Sequence, residues 1–130
     1  MLAGFAHEAV LMMDVAADHC APGAAITVAL CGHWRHDGPC PLAPHHTRAE
    51  RDGEVVRLRT LFAAAPEQEA DIRQRIDQAL AAGTLAGAAT LRAGTLSGRH
   101  GVTARWRLLS SGPDTLRADE AEHAQRLARS

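Results

Sequence analysis

Between residues 54 and 62 apolar and charged side chains alternate as an extended chain requires. Val56, Leu58 and Phe62 fall on one side, and Val55, Arg57, Arg59 and Leu61 on the other, which predicts a strand. After Pro66 the period changes. Ile72, Ile76, Ala79 and Leu80 recur at i, i+4, i+7 and i+8, the stripe of an amphipathic helix. Pro66 suits the first turn, where its missing N–H is not needed, and Glu67 and Glu69 complement the positive end of the helix dipole. Gly83 supplies the stop.

The remaining elements follow from weaker patterns. Phe5, Val10, Met13 and Ala17 recur at steps near a helical turn, with His7, Glu8 and Asp14 between them. They predict a first helix over residues 4–18, stopped by Pro22 and Gly23. Residues 24–34 predict a strand. Ile26, Val28, Leu30 and Trp34 share one face, Thr27, Ala29, Cys31 and His33 share the other, and Gly32 marks a bulge or strand end. Residues 35–53 carry Pro39, Pro41, Pro44, Gly38 and Gly53 and predict a long loop. The Gly/Ala/Thr-rich stretch 82–99 predicts loop with a short strand at 88–91. A last strand is expected over 102–110, with Val102, Ala104, Trp106 and Leu108 inward and Gly112 and Pro113 ending it. The closing helix is expected to be capped by Asp119, with Glu122 three residues on, and to bury Leu116, Ala124 and Leu127.

This order predicts a single α+β domain over residues 1–130. Its expected form is a two-layer sandwich, a mainly antiparallel sheet of three or four strands with helices on one face, and a ferredoxin-like variant is among the arrangements allowed.

Composition narrows the function classes. The 14 basic residues, all arginine, nearly balance 15 acidic ones, so no net field favours a nucleic acid or an anionic membrane surface. Aromatic residues make up 3% of the chain, too few for a base-stacking platform, and no apolar run is long enough to span a bilayer. Neither nucleic acid nor membrane is expected as a partner. His7, Glu8 and Asp14 interrupt the opening stretch, which therefore lacks the pattern of a secretory leader. Together with an odd number of cysteines, Cys20, Cys31 and Cys40, this predicts a reducing, cytoplasmic setting; a Cys31–Cys40 disulfide stays open as an alternative.

The candidate chemistry is concentrated. Cys31, His33, His36, Cys40, His45 and His46 are six of the eleven Cys and His residues, and they fall within sixteen positions. Even scattering would place between one and two there. Thiolate and imidazole are the preferred ligands of zinc and similar divalent metals. Cys31 and His33 would share a strand face, with His36 and Cys40 on a proline-stiffened loop folding back over them. The spacing C-x-H-x2-H-x3-C-x4-H-H matches no familiar zinc module. Zinc or another divalent transition metal in a structural or regulatory role is the leading expectation, with the contiguous Cys31, His33, His36 and Cys40 as first-choice ligands. Against it stands an ordinary loop in which Cys31 is an apolar filler and the histidines bond to backbone or water. A small enzyme using Cys40, activated by His36 or His45, is the third reading; its only neighbouring carboxylate is Asp37, adjacent in sequence to His36.

A second constellation is Arg57, Arg59, Arg105 and Arg107 on outward strand positions. Four guanidinium groups on one sheet face would suit an anion, an acidic protein partner or a second copy of the chain; the plainer account is a solvated sheet face. No phosphate-binding glycine loop, nucleophile elbow or His-Glu-x2-His helix occurs in the chain.

Overall fold

The computed structural model describes residues 2–31, 43–85 and 104–129. The elements run β1 (Ala3–Met12), α1 (Ala21–Cys31), β2 (His45–Asp52), β3 (Val55–Ala64), a 3-10 turn (Pro66–Gln68), α2 (Glu69–Ala81), β4 (Thr84–Leu85), β5 (Ala104–Arg105), β6 (Arg107–Asp114) and α3 (Ala118–Ala128). Four strands form one sheet in the order β2-β3-β1-β6, every neighbouring pair antiparallel. Setting aside the small β4–β5 pair, this is the split β-α-β arrangement of a ferredoxin-like sandwich with a helix added at the end.

The strand over β3 and the helix over α2 form where the periodicity places them. Two other expectations are reversed. The predicted first helix is the central strand β1, and the predicted strand over 24–34 is α1. Both errors have one cause. β1 has no fully exposed position: His7, Ala9 and Leu11 lie at 2%, 1% and 0% exposure on one side, and on the other Ala6 is buried while Gly4, Glu8, Val10 and Met12 are half-buried. Burial alternates along His7–Met12, but the half-buried Val10 and Met12 are apolar and the buried His7 is polar, so hydropathy does not follow the alternation and leaves a spacing that also satisfies a helix. In α1, Pro22, Ile26 and Leu30 form a fully buried stripe at i, i+4 and i+8, but Gly23, Ala24 and Ala25 between them are buried too and Thr27, Val28 and Ala29 are half-buried, so no wet face marks the helical period. Pro22 sits in the first turn, so it opens the helix that it was expected to block.

The expected loop over 35–53 contains β2, an edge strand paired residue for residue with β3 from His45↔Phe62 to Asp52↔Val55. Residues 53–54 make the tight turn, with Gly53 at φ 61°, a conformation that glycine adopts without strain. β6 continues through Gly112 and Pro113 to Asp114. Proline is tolerated there because β6 lies at the sheet edge. The expected short strand at 88–91 and the inward Val102 lie outside the described residues.

The core lies between one sheet face and α1 and α2, around Leu11, Leu58, Phe62, Ile26, Leu30, Ile76 and Leu80. Trp106 closes one end. Its indole N–H donates to Leu80 O at 2.8 Å, and its backbone N–H donates to Gly83 O at 2.9 Å. Gly83 has φ 71°, and a Cβ there would stand 2.9 Å from Trp106 O. Gly83→Ala is therefore expected to cost on the order of 1–3 kcal/mol in a urea melt; an unchanged midpoint would show that this turn carries no such constraint.

α3 lies on the opposite face, where a Cβ on Gly4 would come within 2.7 Å of Ala124 Cβ. Ala124 is buried, and Leu116 and Leu127 are half-buried. The cap differs from the expected Asp119–Glu122 pair. The helix begins after Arg117, whose backbone N–H donates to Glu120 Oε1 at 2.9 Å. The sheet and the α1–α2 layer thus form the expected sandwich, and α3 is an addition covering part of the other sheet face. Among the described residues no helix is long and apolar enough to cross a membrane.

Candidate functional site

The strand–loop picture of the Cys/His segment changes with the elements around it. Cys31 is the last residue of α1, one turn beyond Thr27 in the backbone, and is not on a strand beside His33. His33, His36 and Cys40 lie outside the described residues. His45 and His46 open β2, and strand alternation sends them to opposite sheet faces. His45 turns toward α1: Nδ1–H donates to Ala43 O at 3.0 Å, and Nε2 lies in hydrogen-bond contact with Thr27 Oγ1 at 3.0 Å, whose hydroxyl also reaches Gly23 O at 3.2 Å. His46 turns toward α3, where its ring and that of His123 have centroids 4.6 Å apart. Adjacent in sequence, the two imidazoles serve different surroundings. Among the described residues no three Cys, His, Asp or Glu side chains converge on a point that could hold a metal.

His46 borders two clefts that flank the edge strand. One, of about 390 Å³, opens between β2 and the first turn of α1; His19, Cys20, Thr27 and Thr47 line it over a floor that includes Ala49 and Leu58. The other, of about 80 Å³, lies on the α3 side and is bounded by His46, Arg48, Arg59, Asp119, Glu120 and His123. Burial lowers the proton affinity of His46 below the ordinary histidine value, and the neighbouring His123 and Arg48 lower it further. The ring is consequently neutral at neutral pH and can accept as well as donate.

The four arginines are dispersed by the fold. Arg59 is 4% exposed and forms a fork with Glu120, with Nε and Nη2 at 2.7 and 2.6 Å from its carboxylate oxygens. Its Nη1 reaches Asp114 at 2.6 Å and Glu8 at 3.2 Å. Arg105 belongs to the separate β4–β5 pair. Arg57 and Arg107 remain exposed on the α3 side of the main sheet, where Arg57 pairs in register with Glu50. A four-cation surface does not form.

A further polar cluster was not legible from the sequence, because His7 was assigned to a helix. Nε2 of His7 lies 3.1 Å from Asp77 Oδ1 and 2.8 Å from Ser111 Oγ, and Arg73 Nη1 lies 3.0 Å from its Nδ1. These are the residue types of a hydrolytic triad in the wrong polarity. Arg73 can only donate, so Nδ1 accepts and Nε2 carries the proton. The Ser111 hydroxyl donates to Asp77 Oδ1 at 2.5 Å. No base is left to take the serine proton, as acyl-transfer chemistry requires. The cluster instead ties β1, α2 and β6 together.

No protein-family model matches this chain, and no curated protein does.

Proposed function

We propose that this chain is a small metal-binding α+β domain. The connection between α1 and β2 supplies Cys31, His33, His36 and Cys40 to a divalent transition metal, zinc foremost, in a structural or regulatory role. The observation that carries this is the crowding of thiol and imidazole groups between Cys31 and His46. The fold adds support at the far end of the connection. The Thr27–His45 hydrogen bond holds the start of β2 against α1 one turn before Cys31. A connection whose two ends are held near each other spends less entropy in gathering its ligands onto one ion. His46 is left out of this set because it faces α3. Thiolate ligation needs reduced cysteines, as a cytoplasmic setting provides.

Zinc analysis of protein purified without an affinity tag is expected to give about one equivalent per chain. Cys40→Ser and His36→Ala are expected to lose that metal and to melt at lower temperature, because binding free energy at a structural site is also folding free energy. Less than a tenth of an equivalent in the unmodified chain, after growth with zinc supplied, overturns the proposal.

A further inference from the structure

We infer that His46 and His123 form a second metal site, in which two imidazoles bind a divalent transition ion between the edge strand β2 and helix α3. It shares no residue with the ligand set proposed above and stands on a different observation. The two rings come from distant parts of the chain and meet with centroids 4.6 Å apart and planes tilted by 47°. Two imidazole nitrogens bound to one ion at 2.0–2.1 Å are separated by roughly 3–4 Å, a separation that two rings with centroids 4.6 Å apart can present.

The two nearby arginines are each engaged with carboxylates. Arg48 is paired with Glu50 at 3.2 Å. Arg59 faces three carboxylates, Glu120, Asp114 and Glu8. Asp119 borders the same cleft. With two protein nitrogens, the other coordination positions go to water or to a small ligand, and the cleft of about 80 Å³ has room for an ion with ordered water. Imidazole and water together suit zinc, copper and nickel. A bound ion would fasten α3 to the sheet edge.

The test is a zinc titration of the full chain, followed by the ring-nitrogen resonances of its histidines in long-range proton–nitrogen spectra. His46 and His123 are expected to shift together and to saturate. They should do so in the Cys31→Ser/Cys40→Ser variant as well, which lacks the thiols of the other site. His46→Gln and His123→Gln should each weaken this binding by about tenfold or more, with circular dichroism and melting temperature preserved. Binding should also fade on acidification, as protons compete with the ion for the imidazole nitrogens. If the double serine variant does not fold, cobalt absorption of the unmodified chain separates the sites, since thiolate ligation adds an intense charge-transfer band and two imidazoles do not. Resonances of His46 and His123 that stay still while zinc binds elsewhere overturn the inference. So does a His123→Gln chain that binds with unchanged affinity, or a shift that disappears with the two thiols.

Discussion

Replacing Arg59 with methionine is expected to lower the free energy of unfolding by about 3–5 kcal/mol, a large share of what a domain of this size has available. All five N–H groups of the guanidinium are used: two on Glu120, one on Asp114, one on Glu8 and one on the carbonyl of Thr115. Methionine would leave Glu120, itself 5% exposed, as a buried carboxylate with only Arg117 as a remaining countercharge. Urea denaturation measures the loss, and an unchanged m-value would assign it to the native state. Arg59→Met/Glu120→Leu should recover much of it, because an apolar pair of similar volume often replaces a buried ion pair at little cost. Arg59→Lys should not, since an ammonium cannot reproduce the fork. A single methionine variant within about 1 kcal/mol of the parent would show that the cluster is an ordinary surface ion pair.

The same cluster sets an acid limit. Arg59 holds the carboxyl groups of Glu120 and Asp114 below their ordinary values of 4.5 and 3.8. Their contribution is therefore complete above those unfolded values and is lost as pH falls through the lower native ones. The Arg59→Met chain should lack that acid-dependent portion.

His7→Leu is expected to cost about 2–3 kcal/mol, because it strips the acceptor from one Arg73 N–H and the imidazole donor from Asp77 and Ser111. The more discriminating readout is pH. Burial lowers the proton affinity of His7 from its ordinary 6.5, outweighing Asp77, which raises it, while Arg73 acts in the same direction as burial. Between the native and unfolded values the unfolded chain binds the extra proton. The stabilisation is thus complete above pH 6.5 and declines as the medium is acidified through the native value. His46, whose affinity is also lowered, contributes in the same sense, so the measure is the difference between parent and His7→Leu stabilities across this window. That difference should shrink as pH falls. A gap that stays constant would mean the imidazole is not held neutral.

How much was legible depended on where water touches each element. In β3 one face alternates with charge along part of its length, and in α2 the stripe Ile72, Ile76 and Leu80 is buried while the intervening residues are wet; both were readable. In β2, with the sequence HHTRAERD, only Ala49 is apolar, so an edge strand looked like loop. Its partner β3 supplies the backbone hydrogen bonds that make it extended, and no local pattern encodes that. The candidate chemistry divides in the same way. The density of thiol and imidazole groups before β2 is a property of the sequence. The meeting of His46 with His123 required both the alternation of β2 and the docking of α3. A strand assignment at 45–52 would have sent His45 and His46 to opposite faces, but nothing along the chain points to His123.

By itself, then, the amino-acid order determined the α+β class, the β3–α2 succession, the Gly83 stop after α2, the closing helix and the concentration of metal-preferring side chains. Tertiary structure decided the identities of β1 and α1, the burial of Arg59 among three acids and the pairing of histidines 77 positions apart. The physical reason is that local periodicity records one contrast, between a face that meets water and a face that does not. Where no face is fully wet, or where a backbone partner alone supplies the order, that contrast fades and long-range packing chooses the conformation.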